Sequence, residues 1–328
     1  MKKKDWIYLL LLLMVLGYSV YRYVTNEFTV KESRILLDTF VEINVVSSNK
    51  NITVAVDSAF VLIAGYDDRF SYFNPESEVS QMNNATSDSV IISNELAEML
   101  LLAEKLYHES DSLYDVTIGN LADLWNFDEP VVPSEQAIRT AQTATGFHKM
   151  KLENNMLKRP PGFRINLGSI AKGYIVDKAV ELLQSYDVSY GYINAGGDIR
   201  YFGEIEPHWV GIRHPRDSNA IIDTLYLQQC AVVTSGDYER YFIVDGVRYH
   251  HIINPKTGLP VENTISVTVI APNAFLADAL STALFLMPPE KAIELSKSYH
   301  GVDAVIYYRS GEDIISMKSS GMKVYLKP

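Results

Sequence analysis

The chain has 328 residues, of which 47% are hydrophobic and 21% charged, a composition typical of a globular protein with one large domain or two closely packed subdomains. Its formal net charge of −11 argues against a nucleic-acid partner, because binding to phosphates requires a basic face. The single cysteine, Cys230, excludes disulfides within the chain and zinc sites built on cysteine pairs.

The N-terminal segment differs from the rest of the chain. Lysines at positions 2 to 4 precede an apolar run from Trp6 to Tyr21, which is followed by Arg22. A basic head and an apolar core are typical of a signal peptide or a signal anchor, although the run is short for a spanning helix of about 17–25 residues. Since no small-residue cleavage site follows, we favour an uncleaved anchor over residues 1–24. The body, residues 30–328, would then lie on the periplasmic side of the inner membrane.

The body shows the pattern of a mixed α+β domain, with helices packed on largely antiparallel sheets. Apolar residues at helical spacing predict helices at 55–69, 94–107, after Ser134, and at 170–186, 275–287 and 289–299. Alternating residues predict strands at 38–46, 163–165, 190–194, 209–213, 223–227, 241–244, 266–270 and 304–308. Residues 70–84 are predicted to form a polar loop.

The connection that leads into the helix at 170–186 reads Asn166-Leu-Gly-Ser-Ile-Ala-Lys-Gly. Free backbone N–H groups at a helix start favour an anion. Gly168 would let a ligand approach the backbone, and Lys172 adds positive charge. On this loop alone, a capped helix with a surface lysine is the simpler interpretation.

The helix at 275–287 carries Asp278 and Thr282 on one face, because residues four apart are neighbours on a helix. A carboxylate and a hydroxyl on a partly buried face could hold a hard cation such as Mg²⁺. The alternative is a capping aspartate and a threonine bonded back to a helix carbonyl.

Two of the seven histidines, His250 and His251, stand side by side before the turn signals Asn-Pro and Gly-Leu-Pro. Such a pair can be a metal site, a catalytic base or an accident of composition. The sequence lacks the G-x-G-x-x-G, Walker, G-x-S-x-G and H-E-x-x-H patterns. Rossmann, P-loop, serine-hydrolase and zinc-protease chemistry is therefore not indicated.

Five polar segments follow one another in the second half of the chain: NLGSIAKGYIVDKAVELL, INAGGDI, VTSGDYERYF, HHIINPKTGLPV and ADALSTALFLM. Two more, SYFNPESEVSQMN and YDVTIGNLADLW, precede them. In order and spacing these segments resemble the ApbE family of FAD:protein FMN transferases, from Leu37 onward. The resemblance implies a fold of interleaved α/β and α+β halves, with FAD in the cleft between them.

The resemblance also implies site residues. Mg²⁺ would be held by Asp278, Thr282 and the backbone carbonyl of Ser169. Contacts with FAD are expected from Phe73, Tyr114, Asp115, Asn166, Lys172 and Ile252. Two positions depart from the family pattern: Asn166 stands where the family often has aspartate, and Asp38 stands where it often has glycine.

The reaction implied by the resemblance is Mg²⁺-dependent transfer of FMN from FAD to a Ser or Thr hydroxyl of an acceptor protein in trans, with release of AMP. His251 is the expected general base, since an unperturbed imidazole has a pKa of about 6.5. His250 is the expected structural member of the pair. Asp237 is a second catalytic candidate, which would orient the base or the acceptor. Arg240 is expected to form an ion pair with Glu239.

Two other functions stay open. An Mg²⁺-dependent FAD diphosphatase would use the same site, with water in place of the acceptor hydroxyl. A non-catalytic flavin-binding surface protein would need neither a metal nor a base, so the presence of Asp278, Thr282 and His251 counts against it. The acceptor is not identified by the sequence.

Overall fold

The computed structural model describes residues 3–24, 27–128 and 130–326. An eight-stranded sheet forms the centre of the body, and all of its neighbouring strands are antiparallel. In spatial order its strands are β1 (Phe28–Leu36), β2 (Thr39–Ser47), β6 (Tyr190–Ala195), β7 (Asp198–Gly203), β10 (Ala231–Gly236), β13 (Thr264–Ala271), β14 (Asp303–Ser310) and β15 (Asp313–Lys318).

Three smaller sheets stand outside the central one. They are the three-stranded β3 (Ser89–Ile91), β5 (Met156–Lys158) and β4 (Lys151–Glu153), the hairpin β8 (His208–Arg213) with β9 (Ile221–Leu227), and the hairpin β11 (Tyr241–Val244) with β12 (Val247–His250). The helices are α1 (Lys3–Val24), α2 (Ile52–Phe70), α3 (Glu78–Asn84), α4 (Asn94–Glu109), α5 (Gly119–Ala122), α6 (Glu135–Thr143), α7 (Ala171–Ser185), α8 (Ala274–Leu286), α9 (Pro289–Ser298) and α10 (Met322–Tyr325), with a 3₁₀ turn at Phe147–Lys149.

Helices α2, α7, α8 and α9 pack on one face of the central sheet, and the main apolar core lies between them and the strands. Strand β13 is buried along its whole length because both of its faces are covered. Val267 and Val269 face the main core, whereas Ile270 belongs to a second core that includes Ile212 and Leu225 of the β8–β9 hairpin. Both faces of the central sheet are therefore covered at β13.

The predicted mixed α+β class and the antiparallel sheets are confirmed. All six helices predicted in the body occur. Two of them begin at the predicted caps: Ser93 Oγ accepts from Leu96 N (3.1 Å) and Ser134 Oγ accepts from Ala137 N (3.3 Å). Asp38 forms a two-residue turn with Leu37, and both have positive φ, 55° and 54°. Aspartate tolerates this conformation better than most residues, which accounts for its presence where glycine was expected.

Two predictions about local structure were wrong. Residues 163–165 form only an isolated bridge, between Ile118 and Arg164, since no neighbouring strand runs beside them over a longer stretch of the described chain. The end of the predicted loop, residues 78–84, is helix α3, because Ser77 caps it and Val79 and Met82 are buried. Strand β1 was missed because it is an edge strand with many exposed residues, so its alternation is weak.

The predicted anchor segment contains helix α1, of 22 residues; residues 1 and 2 lie outside the described part of the chain. Among the described residues, no helix combines the length and the apolar character needed to cross a membrane.

Helices α7 and α8 are in close contact at Gly173. A Cβ atom there would lie 2.2 Å from the carbonyl oxygen of Ala274 and 2.7 Å from Cβ of Asp278. Because glycine has no side chain, its backbone N–H reaches Asp278 Oδ2 at 2.8 Å. The start of α7 and the acidic residue of α8 are therefore joined directly.

We expect Gly173→Ala to lower the free energy of unfolding by about 1–3 kcal/mol, because the added methyl group forces the two helices apart. Urea titration followed by circular dichroism measures this change. Gly65→Ala in α2 is the matched control: nothing lies within 4 Å of its Cβ position, so alanine should stabilise the helix by about 0.4–1 kcal/mol. Equal effects of the two substitutions would contradict a tight contact at Gly173.

Candidate active site

Asp278 is a buried carboxylate on α8, with 5% of its surface exposed. Burial raises the pKa of this group to about 6, and the positive charge of Lys172 opposes the shift. Desolvation disfavours the charged carboxylate, so a cation placed beside it would be bound favourably. Asp278 therefore has the environment of a ligand for a positive ion.

Thr282 lies one turn further along α8, and its hydroxyl is part of a chain of hydrogen bonds. Ser281 Oγ donates to the carbonyl of Asp278 (2.9 Å) and lies 2.8 Å from Ser235 Oγ, which is 3.2 Å from Thr282 Oγ1. Since the Ser281 proton goes to the carbonyl, Ser235 donates to Ser281 and Thr282 donates to Ser235. The lone pairs of the Thr282 oxygen remain available to a cation.

The carbonyl of Ser169 lies just before α7, and Tyr114 holds it in place. Ser169 Oγ donates to the hydroxyl of Tyr114 (3.0 Å), which lies 3.5 Å from the Ser169 carbonyl oxygen. Burial raises the pKa of Tyr114, and the charge of Asp278 adds to the shift. The hydroxyl of Tyr114 is therefore near both the carbonyl of Ser169 and the carboxylate of Asp278.

These oxygens fit the Mg²⁺ ion that the family resemblance implies. Mg²⁺ prefers oxygen ligands, needs few of them from the protein and keeps positions for water or phosphate. In the described part of the chain, no group of three or more His, Cys, Asp or Glu side chains could hold a metal. The simpler interpretation of Asp278 and Thr282 was wrong: Asn273 caps α8, accepting from Leu276 N (2.8 Å), and Thr282 bonds across to Ser235.

Lys172 forms an ion pair with Asp198, the acid of the INAGGDI segment. Burial disfavours the charged lysine, but Asp198 and Asp278 outweigh this effect and raise its pKa. Asp198 is held in turn by the backbone N–H of Thr234 (3.1 Å). The interpretation of Lys172 as an ordinary surface lysine was wrong, since its ammonium group pairs with Asp198 and is within electrostatic reach of Asp278.

The histidine pair divides into a buried and an exposed member. His250 is 2% exposed; its Nε2–H donates to the carbonyl of Val261 (2.7 Å), and its Nδ1 accepts from Ile252 N (3.2 Å). Both ring nitrogens are used, and burial lowers the pKa of the ring. The expected structural role of His250 is confirmed.

His251 is exposed as a residue, although protein surrounds most of its ring. This desolvation lowers its pKa to about 4, the neighbouring His250 adds to the shift, and the carbonyl of Arg240 opposes it. Lys172 also contributes, so His251 and Asp278 are both within electrostatic reach of this lysine. His251 is therefore neutral at physiological pH and able to accept a proton.

Asp237 was expected to act in catalysis, but its contacts are those of a structural residue. Its carboxylate accepts two hydrogen bonds from Arg216 (2.7 and 2.6 Å) and is buried. Its backbone N–H donates to Ile265 on β13 (3.0 Å), and its carbonyl lies 3.5 Å from Arg248 Nη1. Asp237 thus joins three segments beside the histidines.

The expected ion pair of Arg240 with Glu239 was wrong. Glu239 pairs with Arg213, whereas the guanidinium of Arg240 lies over the ring of Phe127, 5.7 Å from its centroid. Glu239 and Arg240 lie in the bend between β10 and β11, where Glu239 meets the β8–β9 hairpin and Arg240 meets Phe127.

Three expected FAD contacts are largely occupied by internal interactions. Asp115 is buried: Oδ1 accepts from the backbone N–H (2.9 Å) and hydroxyl (2.7 Å) of Thr117, and Oδ2 accepts from Phe147 N (3.2 Å). Asn166 Oδ1 accepts from Gly168 N (2.9 Å), a bond that aspartate could also form. The side chain of Ile252 is buried in the main core. Their contacts with FAD stay predictions.

Phe73 is the opposite case, because 76% of its surface is exposed. Its neighbour Tyr72 donates a hydrogen bond to Asp123 (2.9 Å) and lies under the guanidinium of Arg164. The two rings meet edge to face at 5.4 Å. Of the two aromatic residues, only Phe73 offers a free ring face for stacking.

Asn83 holds the loop before α7, a role that the sequence reasoning missed. Its Oδ1 accepts from Ile165 N and its Nδ2 donates to Ile165 O, both at 2.8 Å, although the two residues are 82 positions apart. The buried Arg159 binds the carbonyls of Met82, Asn83 and Ala85 at the end of α3. The only sequence signal for Asn83 was the polar SYFNPESEVSQMNN segment, which does not indicate that Ile165 is the partner of Asn83.

We expect Asn83→Ala to lower the free energy of unfolding by about 2–5 kcal/mol, because it leaves a buried N–H and a buried C=O of Ile165 without partners. Chemical denaturation measures the loss. Asn84→Ala is the matched control, since Asn84 is exposed and its substitution should stay within about 0.5 kcal/mol of the parent. A stable Asn83→Ala protein would show that this amide does not hold the loop.

The fold and the site together define a class: an α+β protein in which a buried carboxylate and a neutral histidine both lie within electrostatic reach of one partly buried lysine. The comparisons identify the family. The ApbE family model matches residues 37–306, so the chain belongs to the ApbE family.

Relatives and solved structures agree with this assignment. The FAD:protein FMN transferase of Klebsiella pneumoniae is 33% identical over 266 residues, 78% of this chain and 83% of that protein. The enzyme of the same name from Treponema pallidum is 32% identical, covering 78% of each chain. The ApbE protein of Thermotoga maritima superposes with a TM-score of 0.84 at 33% identity, and the flavin transferase ApbE of Vibrio cholerae with 0.82 at 27% identity. Each comparison covers 92% of this chain and 100% of the solved one.

Proposed function

We propose that this protein is an FAD:protein FMN transferase, which moves FMN from FAD to a Ser or Thr hydroxyl of an acceptor protein and releases AMP. The observation that carries the proposal is the placement of Asp278 and the neutral His251 within electrostatic reach of Lys172. A diphosphate ester, a cation and a nucleophile would meet in this arrangement. Incubating the protein with FAD, Mg²⁺ and candidate acceptors, followed by mass spectrometry, tests for covalently attached FMN.

Binding of FAD would use the exposed ring of Phe73 for the flavin and the region before α7 for the diphosphate. Lys172 brings positive charge to this region, and its ion pair with Asp198 restricts the position of the ammonium group. Tyr114, Asn166 and Asn83 hold the loop. A positioned diphosphate makes an in-line displacement favourable, because most of the catalysis of such reactions comes from alignment and charge.

His251 would take the proton of the acceptor hydroxyl as its oxygen attacks the phosphorus on the FMN side. A new P–O bond forms to the acceptor, the bond from this phosphorus to the bridging oxygen breaks, and AMP leaves with that oxygen. A hydrogen bond from the ring to the carbonyl of Arg240 would leave the other ring nitrogen free to accept the proton.

Asp278, Thr282 and the carbonyl of Ser169 would hold Mg²⁺. When bound, Mg²⁺ offsets the negative charge that develops on the diphosphate. Ser169 donates a hydrogen bond to Tyr114, Thr282 donates one to Ser235, and Gly173 donates one to Asp278. These contacts would hold the three oxygens in position.

The second candidate is FAD diphosphatase activity, which gives FMN and AMP. The observation that favours it is the solvent exposure of His251, since water can reach the ring as well as an acceptor hydroxyl can. The two activities would use one site and differ only in the nucleophile.

We expect AMP release to require Mg²⁺ and to stop in EDTA, whereas FAD binding persists. Asp278→Asn keeps an oxygen that can accept the Gly173 N–H bond but removes the charge, so turnover should fall by ~10²-fold or more. Thr282→Val should have a smaller effect, since the hydroxyl supplies an oxygen without charge. Chromatographic measurement of the AMP released tests the Mg²⁺ requirement and the effects of both substitutions. Equal rates with and without EDTA would overturn the metal assignment.

We expect His251→Ala to reduce FMN transfer by ~10²–10⁴-fold with little change in FAD affinity. The neutral ring is the active form and its pKa lies below the usual 6.5, so the parent rate should fall only as pH decreases below about 6.5 toward 4. This acid limb should disappear in the variant. His250→Ala should mainly lower stability, because it removes two internal hydrogen bonds. A His251→Ala protein that transfers FMN at the parental rate would refute the assignment.

We further propose that the N-terminal segment, residues 1–24, anchors the protein in the inner membrane, with the body on the periplasmic side. In support, Leu10, Leu11, Leu12, Leu13 and Leu16 of α1 are all more than half exposed, and such an apolar surface is costly in water. The lysines at positions 2 to 4 favour a cytoplasmic N-terminus.

We expect protease added to spheroplasts to digest the body while cytoplasmic marker proteins stay intact. Immunoblotting of the membrane fraction should show the full-length chain before digestion. A body protected from protease, or a chain cleaved near Tyr18 and found in the soluble fraction, would contradict an uncleaved anchor.

A further inference from the structure

Two β-hairpins outside the central sheet expose large apolar side chains. On the β8–β9 hairpin, Trp209 and Tyr226 are cross-strand partners with ring centroids 4.5 Å apart, and 56% of Trp209 is exposed. Ile221 is 64% exposed and lies over Gly211, where a Cβ atom would be 2.7 Å from Ile221 Cδ1. Trp209, Gly211 and Arg213 alternate along β8, so they share one face of the hairpin.

The β11–β12 hairpin has an inward and an outward face. Phe242 and Tyr249 face inward and pack against Trp125. Tyr241 and Ile243 therefore face outward, and 56% of Ile243 is exposed. Packing of the inner face against Trp125 explains how this hairpin is stabilised. It does not explain why the outer face carries apolar residues.

Asp237 connects both hairpins to the site. Its carboxylate binds Arg216 in the β8–β9 connection, and its carbonyl is 3.5 Å from Arg248 of β12. Two residues later, Glu239 pairs with Arg213, on the same face of β8 as Trp209. The next residue, Arg240, accepts the backbone N–H of His251 at its carbonyl (3.1 Å). Residues 237–240 thus link both hairpins to the segment that carries the candidate base.

We propose that the outer faces of the two hairpins form a docking surface for the acceptor protein. We call this the hairpin surface and define it by Trp209, Ile221, Tyr226, Tyr241 and Ile243. The proposal rests on the proposed function. An acceptor protein needs contacts beyond its reacting hydroxyl, because the small hydroxyl group alone provides little binding energy. An exposed apolar patch beside the general base supplies such contacts.

Charge indicates the chemistry of the partner. Arg248 borders the hairpin surface, since it lies opposite Ile243 in the hairpin, and within the described residues it forms no ion pair with a carboxylate. Arg248 lies over the ring of Tyr241 instead, 3.7 Å from its centroid. The acceptor segment that fits this surface presents apolar side chains together with acidic ones. Attraction between unlike charges accelerates such an encounter and weakens with salt.

The test uses the full-length protein, FAD, Mg²⁺ and washed membranes of the cells that make it. In-gel flavin fluorescence identifies the labelled acceptor, which is then purified for kinetics. Ile243→Ser and Trp209→Ser should each raise the KM for the acceptor about tenfold or more, with kcat and FAD affinity close to the parent. Ile91→Ser, on the separate β3–β5–β4 sheet and 79% exposed, is the matched control and should change nothing. The parent KM should rise with salt, and Arg248→Ala should weaken this dependence.

The outcomes separate the two proposals. If the parent protein labels no acceptor, the proposed function fails. If it labels one and both hairpin variants keep the parental KM, the function stands and the hairpin surface is refuted. A loss of FAD affinity in both variants would assign these residues to the FAD site instead. A change from dimer to monomer on gel filtration would show that the surface binds a second copy of the chain. Because the two variants lie on different hairpins, one that does not fold leaves the other to decide.

Discussion

The close contact between α7 and α8 at Gly173 is the constraint on which the site depends. With no side chain at this position, the backbone N–H of Gly173 reaches Asp278, and the acidic residue of one helix comes to lie at the start of the other. Ser169 and Lys172 precede Gly173 in the chain, so the same contact sets the distance of the loop carbonyl and the ammonium group from the carboxylate. A methyl group there would move Ser169 and Lys172 away from Asp278.

Burial then determines the charge that each side chain carries. Desolvation acts against the charged form of all three central residues, but their partners differ. Lys172 stays positive because Asp198 and Asp278 outweigh its burial, Asp278 has a raised pKa that a cation would lower, and His251 is neutral because its charged neighbours are positive. The neutral imidazole of His251 and the desolvated carboxylate of Asp278, which a cation would stabilise, are therefore found in one region. This combination suits the transfer of an anionic group to a hydroxyl.

The side chains of the polar segments fall into two groups, those that are accessible to a substrate and those that form hydrogen bonds within the protein. Some side chains remain accessible, such as Phe73 and His251, and these are suited to contact a substrate. Others bind the protein itself: Asp115 ties its own loop, Asn83 holds Ile165, and Asp237 joins two hairpins to β13. A dense polar motif in the sequence does not distinguish these cases, since carboxylates and amides serve equally well as ligands and as internal braces. The contacts of Asp237 are what link the hairpins to the neighbourhood of His251.

The amino-acid sequence alone was sufficient for features that depend on neighbours within about one helical turn. It predicted the six helices of the body through their spacing, two of them also through their caps, and it placed Asp278 and Thr282 on one helical face. It could not identify Asp198 as the partner of Lys172, Ile165 as the partner of Asn83, or Arg216 as the partner of Asp237. These pairs are separated by 21 to 82 positions, and their formation depends on how helices and strands pack. Periodicity and capping report local free energies, whereas a buried ion pair exists only after the chain has folded around it.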